Sequence, residues 1–419
     1  VPNRFLLAGI GLSLLGSLLI FISDSQQAGS GANPMLGNGL AIVGSWCFSA
    51  YLMIGRRLRA SPQAGGSAQC QRAPGPLSKD FVAMHFIVLG AGAIGCYVGG
   101  RLAVRGQAVC LVGRPHALEP IALHGLKVTD LDGFDRTVPV SALQLAHTLA
   151  DAAPGPDSVI LLCVKSGATE SAARELADAC APGTPVISLQ NGVDNVARVT
   201  ARAPGLSVLA GMVPYNVVLR GAQVHRATAG HLQLQRDAIT ERIAPVFNAA
   251  GLATVLPADI RAVQWGKLLL NLNNPVNALS DLPLRQELLD RDCRRVFAAL
   301  QTEALRVMAR AGIAPAQVTA VSPTLLPHVL RLPNWLFTRL AKRMLQIDAT
   351  ARSSMWDDLQ AKKRTEIMFL NGAVVRMGQH YQLPVPVNTL LVEQIIRLES
   401  GAGSVLSLAE LLQQAGLKY

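Results

Sequence analysis

His85-Phe86-Ile87-Val88-Leu89-Gly90-Ala91-Gly92-Ala93-Ile94-Gly95 is the stretch that decides the fold. The first five residues are mostly apolar and predict a short buried strand. A GxGxxG turn follows at once, and Cys96 to Arg105 predicts a helix. In this strand–turn–helix setting the glycines mark a dinucleotide-binding unit. Gly90 permits the tight turn, Gly92 lets the backbone approach a pyrophosphate, and Gly95 lets helix and strand pack closely. The helix start, with Ala91, Ala93 and Ile94 around it, offers free N–H groups to phosphates. A plain tight turn is the alternative in a chain with 37 glycines; the flanking elements favour the cofactor.

Working outward, Ala108 to Val112 is the next strand. NAD-binding enzymes place an acid near its end, ~20 residues past the glycines, for the ribose hydroxyls. Here the chain reads Gly113-Arg114-Pro115-His116, with no acid. Arg114 suits a 2′-phosphate, so NADPH is expected over NADH; a solvated loop arginine is the alternative. Ser158 to Val164 runs into Lys165, and Pro185 to Leu189 runs into Gln190-Asn191-Gly192. Continuous apolar runs predict a parallel sheet covered on both faces. Ligands bind outside the carboxyl ends of such strands, where Lys165 and Asn191 fall.

Beyond about Ala253 helical patterns dominate. In Trp265-Gly266-Lys267-Leu268-Leu269-Leu270-Asn271-Leu272-Asn273-Asn274-Pro275, the residues Lys267, Asn271 and Asn274 lie at i, i+4 and i+7, one face of a single helix. Asparagine is a poor helix former and costly to bury unpartnered, so this polar stripe reads as a site rather than a wet face. In Ser353 to Glu366, Ser354 and Asp358 share a face, with Glu366 two turns further on roughly the same side. Read alone, these charges are equally a solvated face.

Residues 1–83 differ in kind. Phe5 to Ser23 and Met35 to Gly55 are uncharged runs of 19 and 21 residues. Each has the ~20 residues a span needs. Arg4 precedes the first, and Arg56, Arg57 and Arg59 follow the second, which predicts a transmembrane hairpin over 1–59 with both ends cytoplasmic. Gly39 to Tyr51 with Gly55-Arg56-Arg57-Leu58 resembles a fragment of the drug/metabolite transporter family; two helices cannot build its pathway, so no transport is implied. Residues 60–83, rich in Gly, Pro, Gln and Ala, predict a linker.

Half of the 419 residues are hydrophobic and mean hydropathy is +0.32. The net charge is +11, of which +4 precedes Met84. Aromatics are only 5% and no basic run interleaves with them, so nucleic acid is not expected and anionic small molecules fit better. The seven cysteines are scattered without a CxxC or Cys/His cluster, which implies neither a metal nor a disulfide framework.

GAGAIG, VK at one strand end, QNG at the next, then WGKLLLN, SSMWDDL, RTEI and PVPVN follow one another in order. Together they resemble the ketopantoate reductase family from Met84 to about Ser400. The resemblance implies a Rossmann-type NADP-binding domain (84–252), an all-α substrate and catalytic domain (253–419) and a cleft between them. It implies NADPH-dependent reduction of 2-dehydropantoate to (R)-pantoate, a step of pantothenate and coenzyme A biosynthesis. Lys267 then matches the catalytic lysine and Glu366 its acidic partner, which also lies near the cofactor. Ser354, Asn271, Asn274 and Asn191 match substrate-binding positions. Lys165, Asn191 and Arg114 match positions beside the cofactor. Two departures touch the substrate pocket: the spacing from Lys267 to Asn274-Pro275 is one residue short, and Ala351 stands where an asparagine often does. Alternatives are a reductase of another branched 2-oxo acid and a non-catalytic NADPH-binding membrane protein. The expected setting is a cytoplasmic catalytic domain tethered to the inner face of the membrane through residues 5–55, with homodimerisation left open.

Overall fold

The computed structural model describes residues 84–342, 344–345, 348–401 and 408–417. They lie within one compact unit, Phe81–Tyr419. Twelve strands are described: β1 His85–Leu89, β2 Ala108–Val112, β3 Leu126–Asp130, β4 Asp135–Val138, β5 Gln144–Ala146, β6 Ser158–Leu162, β7 Pro185–Ser188, β8 Ser207–Met212, β9 Val217–Arg220, β10 Gln223–Arg226, β11 Leu232–Leu234 and β12 Thr254–Val255. Eight form one sheet in the order β12-β11-β8-β7-β6-β1-β2-β5. From β5 to β8 all neighbours are parallel. This is the doubly wound order, with β1 central and the chain reversing direction beside it. Val159 to Leu162 are fully buried, as a strand covered on both faces requires.

Helix α1 (Ala93–Val104) follows β1, α2 (Pro115–His124) follows β2, α3 (Thr169–Ala179) follows β6, α4 (Asn195–Arg202) follows β7, and α5 (Ala238–Ala249) precedes β12. A second sheet, β4-β3-β10-β9, packs on α1. Its β3 and β10 are parallel, while β3–β4 and β9–β10 are antiparallel hairpins. Buried Arg101 of α1 and Arg226 of β10 both reach the Asp130 carboxylate of β3, at 2.7 and 3.3 Å, and tie the small sheet to α1.

From Ile260 the described structure is helical: α6 Ile260–Asn271, α7 Asn274–Ser280, α8 Leu284–Leu289, α9 Arg291–Arg310, α10 Leu326–Leu330, α11 Asn334–Leu340, α12 Ser354–Gln360, α13 Asn371–His380, α14 Pro386–Ser400 and α15 Leu408–Gln414. These helices pack around α9, whose apolar face carries Val296, Phe297, Leu300 and Val307.

The expected membrane hairpin is withdrawn. Among the described residues no helix is long and apolar enough to cross a membrane. The longest, α9, has 20 residues, and seven of them are charged. Phe5–Ser23, Met35–Gly55 and the linker 60–83 lie outside the described residues. The transmembrane reading, and with it the tether, falls.

Glu287 of α8 is buried and makes no ion pair among the described residues. Asn277 Nδ2 donates to its carboxylate at 2.8 Å. Burial pushes its pKa up to about 7; the Asn277 and Asn273 amides pull against that and the Asp290 charge adds to it. A carboxyl raised in the folded state binds protons there that the unfolded chain has released. Stability is therefore fullest below the unfolded value and is lost as pH rises towards 7. We expect Glu287→Gln to match the wild type at pH 5 and to exceed it by on the order of 3 kcal/mol at pH 8. Urea unfolding of both proteins across that range measures it, and a gap that does not change with pH refutes it.

Candidate active site

Three strand ends and two helical segments meet in one hydrogen-bonded network. After β6 the chain places Lys165 and Ser166, after β7 Gln190 and Asn191, and after β8 Val213. Helix α6 brings Lys267, whose Nζ donates to Asn191 Oδ1 at 3.0 Å and to the Val213 carbonyl. Asn191 Nδ2 donates to Glu366 Oε2 at 3.0 Å. The other oxygen of Glu366 accepts from the Ser166 N–H at 3.0 Å and the Ser166 hydroxyl at 2.9 Å. Asn191 thus stands between the lysine and the carboxylate, touching both.

Burial lowers the pKa of the Lys267 ammonium to about 8, with the Glu366 charge holding it up. An ammonium so shifted is still mostly charged at neutral pH and is a better proton donor than a free lysine. Lys165, beside Ser166, pairs with Asp358 of α12. Burial raises the Asp358 pKa, and the bond and charge of Lys165 oppose this.

The glycine turn fits a dinucleotide. Gly90 has φ +115°, and a Cβ there would stand 2.7 Å from the Val164 nitrogen. A Cβ on Gly95 would overlap the Gly90 carbonyl oxygen and lie 2.7 Å from Val88 Cγ1. A Cβ on Gly92 would meet nothing within 4 Å, so that side of the turn is open. Helix α1 begins there with no side-chain cap and no acid in its first turn, and Ala93, Ile94 and Gly95 can turn their N–H groups to an anion. Gly113 packs against Ala91, so Arg114, exposed at the head of α2, stands beside this turn.

The other expected site residues are near but unbonded to the network. Asn271 lies one turn beyond Lys267, and Ser354 is exposed as the first residue of α12, one turn before Asp358. Buried Ser353 caps α12 and its hydroxyl donates to the Asn274 carbonyl at 3.3 Å. Two readings are corrected. Lys267, Asn271 and Asn274 do not share one helix: Pro275 has no N–H for the Asn271 carbonyl, so α6 ends at Asn271 and Asn274 opens α7. Glu366 is not on α12, which ends at Gln360; Lys362 takes a left-handed φ of 51° and turns the chain, leaving Glu366 in a loop.

Sequence reasoning passed over Ser166 and Asn195, both buried. Asn195 Nδ2 donates to Ser166 Oγ and to the Asn191 carbonyl, at 3.2 and 2.6 Å, and so holds both strand-end loops. The signal was present: Asn195 is the second asparagine in Gln190-Asn191-Gly192-Val193-Asp194-Asn195.

The model of Ketopantoate reductase PanE/ApbA matches residues 86–238, and that of its C-terminal region matches residues 259–399. The chain belongs to the ketopantoate reductase family. A 2-dehydropantoate 2-reductase of Halobacterium salinarum is 30% identical over 328 residues, 76% of this chain and 100% of the relative. The crystal structure of a PanE/ApbA family ketopantoate reductase from Ralstonia eutropha JMP134 superposes with a TM-score of 0.66 at 30% identity, covering 76% of this chain and 99% of that one. D-Mandelate dehydrogenase with NADH and anilino(oxo)acetate shares the fold at a TM-score of 0.63 and 20% identity, over 76% of this chain and 99% of that one. Both ketopantoate reductase matches begin beyond residue 85 and lend the transporter resemblance of residues 1–59 no support.

Proposed function

We propose that this ketopantoate reductase family member reduces 2-dehydropantoate to (R)-pantoate with NADPH. The observation that carries the reading is the Lys267–Asn191–Glu366 network at the carboxyl ends of β6, β7 and β8. The cofactor, when bound, supplies the hydride to the C2 carbonyl carbon. Lys267 is positioned to stabilise the charge that grows on the carbonyl oxygen and to give it a proton. Asn191 holds the ammonium in place and couples it to Glu366, which is fixed in turn by Ser166. Ser354, Asn271 and Asn274 surround the substrate's polar groups, and Lys165 stands where cofactor and substrate meet. A second reading is another branched 2-oxo acid, favoured by Ala351, which offers no amide to the pocket. Steady-state NADPH oxidation by the full chain over a panel of 2-oxo acids decides between them. The highest kcat/KM should fall on 2-dehydropantoate, and a higher value for another acid overturns the first reading.

Arg114 beside the glycine turn, with no acid on the loop, favours NADPH over NADH. Arg114→Asp should weaken NADPH by roughly ten- to hundredfold, the effect of losing hydrogen bonds to a charged group, and leave NADH nearly unchanged. Fluorescence titration of both cofactors is the measurement; equal losses for the two would sink the assignment.

A further inference from the structure

Behind the Lys267–Asn191–Glu366 network stand three buried side chains, Gln190, Thr169 and Asn195. Burying an amide or a hydroxyl costs free energy unless its polar atoms find partners. These three find them in a row. Gln190 Nε2 donates to Thr169 Oγ1 at 2.9 Å, and the Thr169 hydroxyl donates to Asn195 Oδ1 at 2.9 Å. Asn195 Nδ2 then donates to the Asn191 carbonyl at 2.6 Å and to Ser166 Oγ at 3.2 Å.

The direction of the row is fixed. Arg198, whose Nη1 reaches Asn195 Oδ1 at 3.3 Å, can only donate, and the Asn191 carbonyl can only accept. The Asn195 amide therefore faces one way, with both N–H groups towards the strand-end loops. Ser166 is where this matters. Its single hydroxyl proton has two acceptors in reach, the Asn191 carbonyl at 2.7 Å and Glu366 Oε1 at 2.9 Å. Asn195 supplies the carbonyl with a donor and occupies a lone pair of the hydroxyl oxygen. The proton is then free for the carboxylate, the stronger acceptor. Without Asn195 the two acceptors compete for one proton.

We propose that Asn195 is a positioning residue of the reaction: its two donated bonds direct the Ser166 hydroxyl to Glu366 and hold Asn191, and so keep Lys267 aligned. This rests on Lys267 and Glu366 acting as proposed above. Asn195 works through Ser166 and Asn191, and Thr169 fixes the face it turns to them.

The test is stopped-flow single turnover of the full chain with NADPH and the 2-oxo acid that the wild type reduces fastest, read across pH. Asn195→Asp keeps the size of the side chain and replaces its donors with an acceptor. It should slow the turnover by roughly ten- to hundredfold, the cost of a misplaced reacting group. The alkaline fall of the rate should also begin at lower pH, because the Glu366 charge that holds up the Lys267 pKa is no longer fixed beside Asn191. Asn195→Ala should do the same. Thr169→Val removes one hydroxyl at nearly equal volume and leaves Asn195 in place. It should move both readouts the same way, with a slowing of about fivefold, as for one ordinary hydrogen bond. Thr169→Val decides the question if a circular dichroism melt shows that neither Asn195 variant folds. A folded variant that keeps either the wild-type rate or the wild-type alkaline fall overturns the proposal, since a merely structural role moves only the melt. Lys267→Ala is run beside them. If it keeps its rate, the reading beneath the proposal fails and takes the proposal with it; if it slows while the Asn195 and Thr169 variants do not, the proposal alone fails.

Discussion

Lys267→Ala should lower kcat by about 10²–10³, with NADPH affinity nearly unchanged. The lysine charge is needed where negative charge develops, and that happens in the transition state rather than in the bound substrate. The glycine turn, the proposed cofactor site, is not among the hydrogen-bond partners of Lys267. The same residue sets a pH dependence. In the proposed reduction the lysine acts protonated, and burial lowers its pKa to about 8. The wild-type kcat should therefore hold level below that value and fall about tenfold per pH unit above it. The residual activity of Lys267→Ala should lose this fall. Lys267→Arg should restore little, because a guanidinium is bulkier and a far poorer proton donor. Stopped-flow single turnovers read the chemical step directly. A variant with near wild-type rate, or one that keeps the alkaline fall, makes the lysine structural.

Gly95→Ala carries the second large effect. The added methyl group meets the Gly90 carbonyl oxygen and Val88 Cγ1, one of them backbone and neither free to swing away. Either the turn opens or α1 lifts from β1. We expect a stability loss of about 1–3 kcal/mol together with loss of measurable NADPH binding, since the N–H groups no longer converge on one point. Gly92→Ala is the contrast, because its Cβ faces open space. It should keep the stability and weaken only the cofactor. Thermal melts and NADPH titration of the two variants give the comparison, and a Gly95→Ala protein that binds NADPH normally would refute the packing account.

The α/β half was legible because its signals are local. Five apolar residues, a glycine turn and a helix lie side by side in the chain, and the polar residues that close each strand fall next to the runs that predict it. Lys267 was legible for the same reason, as a charge in a leucine-rich helix. What escaped was set at a distance. Ser166 is one residue past Lys165, but its role comes from Glu366, 200 positions away. The break at Pro275 and the left-handed Lys362 each turn the chain after a short helix. A period-of-3.6 reading carried through both of them and put Asn274 and Glu366 on faces they do not occupy. The hairpin of residues 1–59 rested on two uncharged runs and their flanking arginines, with no motif of the family behind it, and it is the part of the expected fold that fails.

The small sheet has a consequence for the order in which this chain folds. Its two hairpins are local, closed by short turns, but the parallel pairing of β3 with β10 joins Thr129 to His225 across 96 positions. Closing a loop of that length costs about 4 kcal/mol of chain entropy before any contact is gained. Of the strands between β3 and β10, β5 to β8 belong to the large sheet, so its assembly shortens the effective loop and favours its forming before the β3–β10 pair. The guanidinium of Arg226 reaches Asp130 only where these two distant hairpins are paired, so the ion pair can form only with the non-local contact it secures.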